Sequence, residues 1–195
     1  MTTDTDAWYT AHVEAFLDAT AHVDMRALHD PFLALLPSGA TILDVGCGSG
    51  RDSLAFARRG FRVVPMEPCE ALASRAEALL RQPVARRRAQ ELEEVAAFDG
   101  IWACASLLHV PARETPATLA RLARALRPGG ILYASYKLGQ GEREGERFFH
   151  DQEEDSLRGL LEGASLTILK LWQTDDARKN QGQRWVNALA SRTDR

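Results

Sequence analysis

An acid and three alternating glycines follow two apolar residues in Ile42-Leu43-Asp44-Val45-Gly46-Cys47-Gly48-Ser49-Gly50. Such a run has few ways to fold. It reads as a buried strand over 41–45 that bends through its glycines into a helix over 52–59. Glycines at alternate positions let the backbone take positive φ and approach a ligand that any Cβ would hold off. Strand, tight turn and helix, in that order, is the arrangement in which open parallel sheets receive adenosine-containing molecules.

Periodicity extends the pattern through the chain. Residues 7 to about 36 read as helical, with Trp8, Phe16 and Val23 in the first part and Asp30-Pro31 as N-cap and first turn of a second helix. Further strands are predicted over 61–66, 84–88, 99–104, 131–136, 166–172 and 185–190. Helices are predicted over 71–80, around Leu119, Leu122, Ala123 and Leu126, and after a capping pair Asp151 and Glu154. Pro128-Gly129-Gly130 ends the Leu119 helix, and 139–146 reads as a polar loop. Alternating strands and helices imply an α/β fold: a doubly wound, mostly parallel sheet of seven strands with helices on both faces. At 195 residues the chain suits one domain, with 1–38 as a helical lid and 39–195 as the α/β core.

Charge at the turn selects the ligand. A dinucleotide fingerprint needs its third glycine one position later, where this chain has Arg51. Asp44 repels a pyrophosphate, but it attracts the sulfonium and ammonium of S-adenosylmethionine. Asp44 to Gly50 resembles the first motif of the class I S-adenosylmethionine-dependent methyltransferases. The likeness continues through Gly48-Ser49-Gly50-Arg51-Asp52-Ser53, the stretch from Phe98 to Val110, and Leu126-Arg127-Pro128-Gly129-Gly130. It reaches Ser135-Tyr136-Lys137-Leu138-Gly139, Gly145-Glu146-Arg147-Phe148 and Trp172 to Arg178. These segments are similar to a subgroup of small bacterial methyltransferase-domain proteins likened to tellurite-resistance methyltransferases. The resemblance implies S-adenosyl-L-methionine as cofactor, a Rossmann-like methyltransferase fold and a last strand inserted antiparallel.

The candidate site residues follow from position. Gly46, Cys47, Gly48, Ser49 and Gly50 form the turn beside Asp44. Arg51 and Asp52 open a helix whose free N–H groups suit the cofactor carboxylate, or they merely cap it. Glu67, followed by Pro68, ends the second strand where an acid accepts ribose hydroxyls. The family usually has Asp then Ser there, so the reach is longer and one hydroxyl is missing. Gln90, Glu91 and Leu92 could read and stack the adenine, or form a solvated loop. Ala105 could offer a carbonyl to the ammonium. His109 is the candidate catalytic residue, a proton acceptor with near-neutral basicity, against the plainer reading of a backbone-bonded loop histidine.

On the acceptor side stand Tyr9, Tyr136, Lys137, Arg147 and Arg178. Three cations there suit a carboxylate or phosphate, and ordinary ion pairing, for example with Glu142, Glu144 and Asp176, is the rival. Trp8 and Tyr9 form a lid or simply pack.

Composition limits the alternatives. Net charge is −3, so no global cationic field favours nucleic acid. Arg86-Arg87-Arg88 has no interleaved aromatics and suits a solvated face. Cys47, Cys69 and Cys104 form no C-x-x-C pair, which disfavours a metal site or disulfides and favours a reducing compartment. The acidic start and the lack of a membrane-length apolar run make the cytoplasm the expected location, with no membrane partner. The expected activity is methyl transfer to a small, anionic molecule. A non-catalytic cofactor-binding protein, or a cyclisation releasing methylthioadenosine, are the rivals. Oligomeric state is not legible.

Overall fold

The computed structural model describes residues 5–178 and 181–193. Residues 1–4 of the polar, acidic start, and part of the polar loop expected over 175–183, lie outside them. Three helices, α1 (Thr5–Ala11), α2 (Val13–Thr20) and α3 (Arg26–Leu33), precede the sheet. Then come β1 (Thr41–Val45), α4 (Arg51–Arg58), β2 (Arg62–Met66), α5 (Glu70–Leu80), β3 (Phe98–Ala103), α6 (Thr115–Ala125) and β4 (Leu126–Lys137). A hairpin of β5 (Gly141–Arg143) and β6 (Phe149–Asp151) leads to α7 (Glu154–Gly163), β7 (Leu166–Asp175) and β8 (Arg184–Arg192).

The main sheet runs β2-β1-β3-β4-β8-β7, parallel through β4, with β8 antiparallel to both its neighbours. Strand order reverses between β1 and β3, so their carboxyl ends open a crevice at the switch point. Period-two alternation divides the apolar residues between two faces. Leu43, Ile101, Leu132 and Ala134 pack with Leu119 and Leu122 of α6 and Leu157 and Leu161 of α7. Ile42, Trp102, Tyr133 and Leu189 pack with Phe32 of α3 and Phe56 of α4. Trp102 and Tyr133 stack at 3.9 Å, and Tyr133 Oη donates to Asn187 Oδ1 at 2.7 Å.

Five readings of the sequence change, the simplest being Leu126, which leaves the Leu119 helix and opens β4 opposite Phe98. The strand expected over 84–88 shrinks to a bridge between Ala85 and Met66, leaving six strands in place of seven. On that edge Glu67 N donates to the Ala85 carbonyl and Ala85 N to the Pro65 carbonyl. The next rung would need Arg87 N and Cys69 N, but Arg87 N turns back to the Ala85 carbonyl and Cys69 N donates to the Glu67 carboxylate, so the ladder stops.

Asp30 does not cap a helix. The helix α3 begins at Arg26, whose N–H bonds Asp24 Oδ1 at 3.0 Å, and runs through Pro31, while Asp30 pairs with Arg59. Burial of Phe32 and Leu33 outweighs the backbone bond lost at Pro31. Asp151 belongs to β6, paired with Arg143, and the reciprocal cap of α7 is made by Glu153 and Ser156. The loop expected over 139–146 carries β5, because β6 supplies a partner edge that local composition does not announce.

Phe32 is fully buried and touches Phe56 and Trp102. That fastens α3 to the core, although it lies within the segment read as a lid. Phe32→Ala is expected to cost about 3–5 kcal/mol of unfolding free energy, measured by urea titration. A loss under about 1 kcal/mol would mark α3 as a detachable cover.

Candidate active site

The crevice at the sheet's carboxyl edge is a cavity of about 810 Å³, roofed by α1 and α2 and walled on one side by the β5–β6 hairpin. Its floor is the glycine turn. Gly46 N and Cys47 N both donate to the Met66 carbonyl, which pulls the turn against the end of β2. Gly46 has φ +69, and a Cβ there would stand 2.6 Å from Ser106 Cβ on the loop after β3. Gly48 has φ +53 and lies beneath the Phe16 ring of α2. Gly50 is different: a Cβ there would meet Leu80 and Ala76 of α5, so it serves helix packing and does not line the cavity.

Two acids face this end. Asp44 is buried and accepts a hydrogen bond from Ser53 Oγ at 2.6 Å. Burial, then the negative charge of Asp52, pushes its carboxyl up. Glu67 accepts from Gly48 N and Cys69 N, both at 2.9 Å. Burial still raises it to about 7, against the pull of those two N–H groups. Pro68 and Gln90 also line the cavity, and Gln90 Nε2 donates to Glu114 at 3.2 Å. Glu91 turns back to accept from Arg88 N, and Leu92 packs into the core, so neither reaches the cavity wall.

Arg51 and Asp52 line the cavity with their charges already matched. Arg51 donates to both Asp52 oxygens at 2.8 and 2.9 Å, and to the Thr20 carbonyl at 3.0 Å. Asp52 also accepts from His29 Nε2 and Trp102 Nε1, both at 3.0 Å. Burial alone would raise Asp52, yet bonds from His29 and Arg51 hold it well below the usual carboxylate range. The run Arg86-Arg87-Arg88 is likewise paired, with Glu70 and Glu77, with Glu94, and with Asp6 of α1.

At the far end the loop after β3 carries Ala105, Ser106 and His109. Ala105 has φ +53, and its N–H donates to Ser135 Oγ at 2.9 Å. His109 Nδ1 lies 2.8 Å from the Phe148 carbonyl, and Nε2 lies 3.1 Å from Tyr9 Oη. A carbonyl only accepts, so Nδ1 carries the proton and Nε2 accepts from Tyr9. Burial lowers the imidazole to about 4, opposed by the Phe148 bond and assisted by Arg147, Lys137 and Arg88. At neutral pH the ring is uncharged. Arg147 Nη1 donates to Tyr9 Oη at 3.0 Å, and its guanidinium lies over Trp8 at 4.0 Å. Lys137 Nζ sits 3.6 Å above the Phe149 ring, and burial, then Arg143 and Arg147, lowers it to about 8.

Arg178 reaches the cavity edge but forks onto Asp176 at 2.9 and 2.7 Å, the rival reading of that residue. Tyr136 is turned away. It points to the opposite sheet face, its hydroxyl buried among apolar side chains with no hydrogen-bond partner among the described residues. Alternation along β4 accounts for this: Lys137 faces the cavity, so its neighbour cannot.

Sequence reasoning did not single out Ser106, Ser135, Phe16 or Phe149 as cavity residues. Ser106 lies on the loop after β3 between Ala105 and His109 and packs against Gly46. Among the described residues no group of three or more His, Cys, Asp or Glu is arranged to hold a metal ion, and no helix is long and apolar enough to cross a membrane.

A glycine floor at a switch point, flanked by two acids, is a nucleoside-binding crevice of the Rossmann-like class. Residues 17–171 match the family described as methyltransferase domain. The Bacillus subtilis protein YqeM is 31% identical over 134 residues, 63% of this chain and 53% of YqeM. A ubiquinone biosynthesis O-methyltransferase of Xanthomonas axonopodis pv. citri is 35% identical over 108 residues, 52% of this chain and 44% of that protein. The chain thus spans about half the length of these curated relatives.

Burkholderia thailandensis 1,6-didemethyltoxoflavin-N1-methyltransferase was solved with 1,6-didemethyltoxoflavin and S-adenosylhomocysteine bound. It superimposes with a TM-score of 0.81 at 26% identity, over 96% of this chain and 85% of that one. The cyclase SpnF shares the fold at a TM-score of 0.79 and 17% identity, over 98% and 96% of the two chains. This chain belongs to the methyltransferase-domain family, of the class I, S-adenosylmethionine-dependent kind.

Gly46→Ala is expected to abolish measurable S-adenosylhomocysteine binding in calorimetry, because the added methyl forces the turn and the Ser106 loop apart. Gly50→Ala strains the left-handed backbone (φ +80) and the contact with α5, both off the cavity, and should lower Tm while binding persists. Equal binding by both variants would separate the turn from the ligand.

Proposed function

We propose that the protein transfers the methyl group of S-adenosylmethionine to a small acceptor that carries an anionic group. One observation carries this reading, the opposed polarity of a single cavity. Asp44 and Glu67 stand at one end. At the other stand Lys137 and Arg147, neither in an ion pair among the described residues.

The residues present suit the cofactor. Gly46 and Gly48 leave bare backbone where a Cβ would intrude. Ser106 Oγ is buried at the wall without a hydrogen-bond partner among the described residues, and such a group calls for one. Each Glu67 oxygen keeps a lone pair beyond its backbone donor, which suits two ribose hydroxyls. Asp44 and the Ala105 carbonyl would hold the ammonium, and Gln90 the adenine amino group. When bound, S-adenosylmethionine supplies an electrophilic methyl on a sulfonium sulfur.

The chain's own contribution is placement. Holding an acceptor in line at about 3 Å removes on the order of 7–11 kcal/mol of barrier. Lys137 and Arg147 would grip the anionic group. His109, uncharged and with Nε2 unprotonated, accepts the proton the acceptor must lose. The 17% identity to SpnF carries the fold alone, and no feature of the cavity favours a cyclisation.

Calorimetry with S-adenosylmethionine and S-adenosylhomocysteine, followed by a screen of small carboxylates and phosphates for product, tests this. Binding without turnover of any acceptor would leave a cofactor-binding protein, and release of methylthioadenosine would indicate a different reaction. Asp44→Asn is expected to weaken cofactor binding at least tenfold while Tm holds or rises, since it removes a desolvated charge.

The pH dependence has a definite sign. Burial lifts the empty site's carboxyls, with Glu67 near 7, and a cation favours their ionised forms. Cofactor affinity should therefore climb as pH increases through about 7. Binding near or below that pH should release protons, seen as unequal heats in phosphate and Tris. Equal heats and a flat affinity would contradict the electrostatic role.

A further inference from the structure

We infer that Tyr9, carried on the covering helix α1, relays the acceptor's proton to His109, so that the working base exists only while the cover is shut. This rests on the methyl-transfer reading above. Three separate segments meet at one oxygen. Tyr9 Oη lies 3.1 Å from His109 Nε2, receives Arg147 Nη1 at 3.0 Å, and lines the cavity. His109 Nδ1 is committed to the Phe148 carbonyl. Both histidine nitrogens are thus engaged, Nε2 by a phenol that lines the cavity beside the ring.

The orientation of each bond follows. Tyr9 gives its hydrogen to Nε2, Arg147 fills one lone pair of the phenol oxygen, and the other is free for an acceptor hydrogen. The acceptor's lone pair forms the new bond to carbon, and the carbon–sulfur pair stays with sulfur. As this happens, the acceptor's X–H bond breaks toward Tyr9 Oη and the Tyr9 O–H bond breaks toward His109 Nε2. The positive charge ends on the imidazolium, which loses its proton to water once the cover lifts.

A base as weak as His109 (pKa about 4) cannot strip a neutral hydroxyl beforehand. It can take a proton whose acidity climbs as the acceptor atom is alkylated. Arg147 favours transient negative charge on the phenol oxygen, where burial alone would oppose it. The cover is fastened at other points as well, by Asp6 to Arg88, Glu14 to Arg75 and the Thr20 carbonyl to Arg51. A closed α1 is therefore the state in which Tyr9 meets His109.

Tyr9→Phe keeps the ring contacts with Trp8, Phe16 and His109 and removes only the hydroxyl. With 3,4-dihydroxybenzoate as probe, chosen because it joins a protic nucleophile to a carboxylate, kcat should fall at least tenfold. KM and cofactor affinity should change less than threefold. His109→Gln combined with Tyr9→Phe should lose no more than either alone. A wild-type kcat in Tyr9→Phe would overturn the relay.

A second readout needs no turnover. In ¹⁵N-histidine-labelled protein saturated with S-adenosylhomocysteine, the His109 Nε2 resonance should be that of an unprotonated acceptor, and Tyr9→Phe should move it toward the unbonded value. A protonated Nε2, or a resonance that Tyr9→Phe leaves in place, would overturn the relay even if the probe is not a substrate. Loss of S-adenosylmethionine binding in the wild type would instead overturn the methyl-transfer reading.

Discussion

One buried carboxylate, Asp52, ties the structure together. Its two oxygens accept from His29 on α3, from two nitrogens of Arg51 and from the Trp102 indole on β3. Arg51 carries the connection on to the Thr20 carbonyl at the end of α2. Burying a carboxylate is costly unless its lone pairs are filled, and here four donors fill them. Removing any donor leaves a charge with nowhere to turn, so the four segments hold one relative placement. That placement fixes the first turn of α4, and with it the glycine bend and the seat of the covering helices. The network's contribution is geometric definition more than net stability, since a well-packed apolar replacement could hold as firmly.

The cavity built on that frame is polarised. Asp44 and Glu67 are protonated more readily than usual because water has been excluded, and Lys137 and His109 lose protons more readily for the same reason. At the acidic end the empty site thus limits buried negative charge, while Lys137 and Arg147 keep the other end cationic near neutral pH. A ligand bearing a cation at the acidic end would restore the carboxylate charge there. Binding energy and proton release are then coupled through the same desolvation.

Much of the fold could be read directly. The strand over 41–45, the helices near 52–59 and 71–80, and the final two strands follow from apolar periodicity and glycine punctuation, which are local. The elements misread were settled by partners distant in sequence. The Glu67 carboxylate takes the Cys69 N–H that the 84–88 segment would need, β6 recruits β5 out of a polar stretch, and Phe56 with Trp102 draws α3 into the core. Within the site, Asp44, the glycine turn, Glu67 and His109 sit where a strand-end argument puts them, because strand ends are fixed by the sheet. Gly50, Glu91, Leu92 and Tyr136 lie off the cavity. In each case neighbours decided: helix α5 for Gly50, a local turn for Glu91, the core for Leu92, and strand alternation for Tyr136.

The amino-acid order alone determined an α/β alternation, a glycine bend beside an acid, and hence a pocket hospitable to a positively charged adenosyl compound. These depend on backbone freedom and charge sign, which are properties of single residues and near neighbours. Only the tertiary structure decided which charges remain available. Arg51, Arg178 and the three consecutive arginines are spent on carboxylates, whereas Lys137 and Arg147 form no ion pair among the described residues, and His109 is neutral and hydrogen-bonded to Tyr9. Pairing and desolvation are set by what lies a few ångströms away in space, and separation along the chain does not encode that distance.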